Sequence, residues 1–394
     1  YGLATPLPIN TVLGYPAAFP YPFVRISPTT RLAILIDYIY PIHTAGALYG
    51  EEPSDGIKLR YGFLNEDGTG WNATGFLTNE SDMGFQRGTD NINGIPITQA
   101  LLLQNTQLIA TFYGALPLIY NNDPNDTSDK PLGYLGETQK YDVMYRLEHD
   151  TKAGGVELNR FTGFWHKGEH ARISTFVGAR YVYLNEHFGF HGIDSGLGYT
   201  FNVPGPGDTP DPDDFHPDSQ IIFDYPLLDS RLISDVESHM GGAQAGFRCD
   251  LGRRGGFHVW TQTTFGLLAN NEHLEISGNN IGVPSFAVHP EMHDGFQFLD
   301  NSFRDSESHT HASPLFEQSI IADVPLKHLL PFLGKSYLLE NADFRAGYTF
   351  TWIGEVSRPA DSIAWRGFPQ YPSVRIERHS FWMNQLNLGL NFRY

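Results

Sequence analysis

A single cysteine, Cys249, stands in a chain of 394 residues. It cannot form an intramolecular disulfide, so no disulfide framework holds the fold. Long apolar runs are also missing. The most apolar stretch, 32–39, is interrupted by Asp37, and no window approaches the roughly 18 consecutive apolar residues of a helical membrane span. Basic residues are scarce: 26 Lys and Arg face 44 Asp and Glu, a formal net charge of -18. Nucleic acid, which demands a basic face, is excluded as a partner. The chain carries no Gly-x-Ser-x-Gly, no phosphate loop and no His-Glu-x-x-His. It is read as a non-enzyme without a cofactor. It opens on Tyr1 rather than Met, which reads as a processed export product.

Aromatics make up 14% of the chain and glycine 41 residues, a composition suited to twisted strands and aromatic girdles. The mean hydropathy of -0.29 fits strands that are half polar. The last segment shows this directly. Over 382–394 the even positions are Trp, Asn, Leu, Leu, Leu, Phe and Tyr394, while the odd ones are Met, Gln, Asn, Gly, Asn and Arg393. A period of two with one apolar side is a β-strand facing two different environments. The same alternation recurs at 341–353, 257–270, 241–251, 171–186, 141–150, 57–64, 32–40 and 71–78, and less cleanly at 154–165 and 312–324. The segment 107–120 is apolar on both faces and is included as a strand. This predicts about 12 strands, each near the roughly 9–11 residues a tilted strand needs to cross a bilayer.

Connection lengths then alternate. Long ones are predicted at 187–232, 271–310 and 356–379, short ones near 166–170, 252–256 and 325–340, and a tight turn at Asp67-Gly68-Thr69-Gly70. Long outer loops and short periplasmic turns are the pattern of bacterial outer-membrane barrels. The connection 121–139 breaks it. The expectation is an all-β, antiparallel, up-and-down transmembrane barrel over 31–394. Segment 1–30, with six prolines, is expected to stay out of the membrane ladder, in the periplasm or the lumen.

Four short motifs point further. They are Gly178-Ala179-Arg180-Tyr181-Val182-Tyr183-Leu184-Asn185-Glu186, Val156-Glu157-Leu158-Asn159-Arg160, Gly242-Ala243-Gln244-Ala245-Gly246, and Arg345-Ala346-Gly347-Tyr348 followed by Trp352. With 156–160 preceding 178–186 and the other two following, over roughly 140–394, the chain resembles β-barrel porin family 7, a group of outer-membrane barrels of planctomycete-type bacteria. The resemblance implies a porin-like protein of the bacterial outer membrane and brings no substrate.

With the apolar sides facing lipid, the opposite sides would line a lumen. The pore-lining set is Arg31, Asp37, Lys58, Arg60, Asp142, Arg146, Glu148, Glu157, Arg172, Arg180, Glu186, Arg248, Asp343, Arg345 and Arg393. Asp250, Glu317 and Asp323 share those faces. Charges of both signs in a narrow barrel either line an aqueous path or pair across it and close it. Two functions follow: a channel for passive diffusion of small hydrophilic solutes or ions, or a plugged structural or adhesive barrel whose long loops bind partners. The partners expected are outer-membrane lipid and, beyond it, further copies of the chain or a larger envelope assembly. Outward aromatics near strand ends, Tyr40, Trp71, Tyr141, Tyr183, Phe257, Trp352, Trp382 and Tyr394, fit interfacial girdles. Metal candidates in the loops are Asp211, Asp213 and Asp214, and the alternating His289, Glu291 and His293, with His309 and His311 close by in sequence. His149 is read as outward near the outer rim, without a serine beside it for nucleophilic catalysis.

Overall fold

A computed structural model of the protein describes residues 54–105, 141–168, 171–199, 227–254, 257–281, 301–326, 342–367 and 370–392, with a few residues between 108 and 131 and at 221–223. Among these, ten strands form one antiparallel sheet. They are β1 (Gly56–Leu64), β2 (Thr69–Thr78), β3 (Ser81–Gly88), β4 (Met144–Lys167), β5 (Arg172–Asp194), β6 (Leu228–Arg254), β7 (Phe257–Asn279), β8 (Ser302–Pro325), β9 (Ala342–Ser357) and β10 (Arg378–Phe392). The order is β1-β2-β4-β5-β6-β7-β8-β9-β10, a meander, and β3 continues the line of β2 along β4. One short helix, α1 (Gln99–Gln104), is capped by Thr98, whose side chain accepts from the Leu101 amide.

The turns behave as their residues require. β1 and β2 join through 65–68, where Gly68 has φ of 82°, a left-handed backbone that glycine alone adopts without strain. β4 and β5 join through a turn closed by Gly168 N–H on the Ala171 carbonyl, and β6 and β7 are separated by two residues. These connections share one end of the sheet, the turn end. The connections β5–β6, β7–β8 and β9–β10 share the other, the loop end. The loop-end segment 358–377 folds onto the sheet: the Pro359 carbonyl accepts from Ser234 Oγ at 2.9 Å.

The sheet is strongly curled. Arg180 of β5 meets Glu317 of β8 at 2.8 Å, although three strand spacings would hold them about 14 Å apart in a flat sheet. Arg60 of β1 lies 5.3 Å from the centre of the Trp260 ring on β7, five spacings away. β1 and β10 are the two edges of the described sheet.

Several strand assignments change. Segments predicted as two strands, 141–150 and 154–165, are one continuous β4. Of 107–120 only a few residues are described, and none joins the large sheet. The connection 121–139, apart from 130–131, lies outside the described residues; β2 and β3 run to the loop end, and β4 starts there. The parts of 187–232, 271–310 and 356–379 nearest the strands are strand, not loop, because β4 to β8 run 24, 23, 27, 23 and 24 residues. The segments 1–53 and 393–394 lie outside the described residues.

The long strands change character midway. On β6 the convex face reads Ala243, Ala245, Phe247, Cys249, Leu251 toward the turn end and Arg231, Asp235, Glu237, His239 toward the loop end. Its concave face reads Gln244, Arg248, Asp250 toward the turn end and Leu232, Val236, Met240 toward the loop end, with no break in the strand. β4, β5 and β7 show the same inversion. It falls near one register line, Gly154–Tyr183–His239–Asn271–Thr310. In the turn half the convex face carries an exposed apolar belt, including Val156, Leu158, Val177, Leu267, Ile320, Leu386 and Leu388. In the loop half the concave face holds a hydrophobic core of Tyr141, Tyr145, Phe188, Phe190, Leu232 and Ile276, with Ile363 and Trp365 from 358–377.

Candidate functional site

The concave face of the turn half gathers the charged residues. Arg180 is the centre. Its guanidinium reaches Glu317 Oε2 at 2.8 Å and Glu157 Oε2 at 2.5 Å, and all three side chains are nearly buried. The strand period places them: Glu157 is the register partner of Arg180, and both point inward. Gln244 on β6 donates to Glu157 Oε2 at 3.1 Å and to Asn159 Oδ1 at 2.6 Å, and Thr351 Oγ1 donates to Glu317. One planar fork thus ties two carboxylates from opposite walls. A cavity of ≈ 20 Å³ lies beside it, lined by Lys58, Glu157, Arg180 and Glu317 among others. That is room for about one water.

Toward the turn end a second cluster surrounds Trp260, which is fully buried. Arg248 lies 4.0 Å from the ring centre, Arg60 5.3 Å and Arg345 5.7 Å. Arg248 pairs with Asp250 at 2.8 Å, Arg345 with Asp323 at 2.7 Å, and Trp260 Nε1 donates to Asp323 at 3.2 Å. Arg60 Nε donates to Thr74 Oγ1 at 3.2 Å. Toward the loop end an apolar layer crosses the interior: Ala153, Val182, Leu184, Met240, Leu268, Leu315, Ile353 and Phe381.

Of the predicted lining, Lys58, Arg60, Glu157, Arg180, Arg248, Asp343 and Arg345 share the concave face of the turn half. Others do not. Arg146 and Glu148 are on the convex face of β4, paired with each other. The reason is that Tyr145 and Leu147, read as facing out, fill the core of the loop half. His149 shares their concave face and is buried. Burial, reinforced by Arg358 and His187, pushes its imidazole down to about 4, so at 3.7 Å from Glu186 it is a neutral neighbour. Asp142 lines nothing: its carboxylate accepts from the Ser195 amide and hydroxyl and fixes the end of β5. Glu186 is buried in the loop half, where Arg358 meets it at 2.7 Å. Arg172 sits exposed at the turn end, 5.9 Å from the Phe164 ring centre. Tyr141 is core, not girdle.

Arg31, Asp37, Arg393, Tyr40 and Tyr394 lie outside the described residues, as do Asp211, Asp213, Asp214, His289, Glu291 and His293. His309 and His311 are on β8 and meet Glu272 of β7. Trp260, Arg358 and Glu272 were not anticipated. Parity alone puts Trp260 with His258 and Gln262, whereas Arg358 and Glu272 fell in segments read as loop.

Among the described residues no helix is long and apolar enough to cross a membrane, which says nothing of strands. Comparison of the chain with protein-family models, with curated proteins and with solved structures finds no match in any of the three.

Proposed function

We propose that the protein is a β-barrel of the bacterial outer membrane whose lumen is closed, and which holds a folded polar tower above the lipid. The observation that carries the membrane reading is the exposed apolar belt below a common inversion line. On β7 it runs from Phe257 to Leu267 and on β10 from Trp382 to Phe392, each within the roughly 9–11 residues that cross a bilayer. Contiguous exposed apolar surface on this scale marks contact with lipid or protein. Aromatics flank it as interfacial girdles do. Tyr61 and Phe63 pack edge-on against Trp71 near the turn end, and Trp352 pairs in register with Trp382, where the belt on β10 begins. In this reading the turn end is periplasmic.

Closure of the lumen is supported by the Arg180 bridge and by the apolar layer above it. Together they favour the structural or adhesive function over free diffusion. The tower, with its polar convex face, would then contact neighbouring copies or an envelope assembly. A porin remains the second reading, favoured by the interior charges around Trp260. Conductance separates the two. Purified protein inserted in a planar bilayer is expected to be silent, and stable ohmic steps from well-inserted wild-type protein would reinstate the channel. The membrane reading predicts a gel shift between unheated and boiled samples. A monodisperse preparation without detergent would end it.

A further inference from the structure

We propose that Glu272, His309 and His311 form a binding site for a divalent transition-metal ion of the zinc class, inside the loop half. Glu272 on β7 is the register partner of His309 on β8, and His311 follows two positions on, on the same concave face. One ligand atom from each lies within 4.8 Å of the others.

The hydrogen bonding decides which atoms are free to ligate. His311 Nε2 donates to the Glu355 carbonyl at 2.5 Å. The neutral tautomer selected by that bond has its lone pair on Nδ1, which is buried without a hydrogen-bond partner. A ring held through one nitrogen by a backbone carbonyl, with the other bare, is the arrangement of a metal-ligating histidine. His309 Nε2 lies 2.9 Å from Glu272 Oε2, yet neither ring nitrogen of His309 has a hydrogen-bonded partner. The two atoms are close, but their geometry is not that of a hydrogen bond. Two ligands at zinc bond lengths sit about 3.3 Å apart in a tetrahedron, close to that separation.

The surroundings hold the ligands in place. Glu272 Oε1 accepts from Asn270 Nδ2 at 2.7 Å and from the Ser357 amide at 3.0 Å, and Oε2 accepts from Ser357 Oγ at 2.7 Å. The Glu355 carbonyl is presented by an irregularity between Ile353 and Val356, where Glu355 has φ of 56°. Such distortions gather at functional sites. Two imidazoles and one carboxylate suit zinc and its neighbours rather than calcium or magnesium, which prefer all-oxygen sites. Three protein ligands leave a fourth position for water or an incoming group.

The test uses the folded full-length chain, stripped with a chelator and titrated with Zn²⁺, and with Co²⁺ as a spectroscopic probe. Wild type is expected to take one tightly held ion and to show the visible bands of tetrahedral Co²⁺. His311→Ala, at a partly exposed position, should abolish those bands and weaken Zn²⁺ binding at least 100-fold. Ser357→Ala should weaken it about 10-fold to 100-fold, as outer-shell changes do. The proposal is overturned by wild type without a Co²⁺ spectrum. It is equally overturned by binding unchanged in folded His311→Ala or in His309→Gln, which would leave a plain His–Glu pair.

Discussion

The turn half and the loop half of the sheet are made from the same strands in the same register, yet they solve opposite problems. In the turn half the apolar residues face out and the interior is held by ion pairs. In the loop half the apolar residues face in and the exterior carries His187, Asp235, Glu237 and His273. Each pattern alternates with period two. Alternation therefore reports only that the two faces see different surroundings, and neighbours across the sheet decide which is which. A change of phase along one strand signals a change of solvent, not a reversal of the chain.

The sharpest way to break this comparison is to remove the centre of each interior. Arg180→Ala leaves Glu157 and Glu317 buried without their cation and is expected to cost about 3–5 kcal/mol. Phe188→Ala opens a void in the loop half and is expected to cost about 3–5 kcal/mol as well. The midpoint of the heat-shifted gel band in urea reads both. The causes separate on rescue. Adding Glu157→Gln and Glu317→Gln to Arg180→Met should recover most of the first loss, whereas no charge change recovers the second. Failure of that rescue would mean that Arg180 acts through packing.

A smaller effect tests the proposed lipid contact. Ile233 and Phe247 lie on one face of β6 and are exposed to nearly the same degree, 42% and 41%. Phe247→Lys, in the middle of the belt, should cost about 2–4 kcal/mol in a bilayer. Ile233→Lys, above the inversion line, should change stability by about 0.5 kcal/mol or less. Equally small effects would take Phe247 out of the membrane, and equally large ones would overturn the inversion line as its boundary.

The smallest effect concerns pH and the convex face of the loop half. A hydrogen bond to Asp235 raises the His187 imidazole above its ordinary 6.5, against the opposing pull of burial. A raised histidine stabilises fully below its unfolded value, and that contribution fades as pH climbs through the folded one. Asp229 runs the other way. Burial works upward on it, but hydrogen bonds from His191 and Arg231 overcome this and hold it at about 2. Its contribution is present above 3.8 and is lost as pH falls toward 2. Unfolding midpoints of Asp235→Asn should therefore differ from wild type at pH 6 and converge in alkali, and those of Asp229→Asn should converge only in strong acid. Both sites are well solvated, so the shifts are small.

Much of the turn half could be read from residue order. The alternation of Trp382, Leu386, Leu388, Leu390 and Phe392 names the exposed face of β10, and the parity of Arg345, Arg248 and Glu157 places them inside. The loop half misled for a physical reason. Tyr145 and Leu147 are odd while Val156 and Leu158 are even, and that slip imitates a turn between two strands when every apolar side is assumed to face lipid. Glu272 and Arg358 were out of reach for another reason. Their strands and connections look like polar loops until the neighbouring chains supply a core for the opposite face.

The ladder between β5 and β6 runs from Leu228 opposite Asp194 to Asp250 opposite Arg172 without a shift, straight through the inversion line. Any pull on the tower along its strands meets these backbone bonds side by side, in shear, rather than one after another as in a zipper. A sheet built this way is a stiff post: tension at its loop end reaches the exposed apolar belt through continuous backbone.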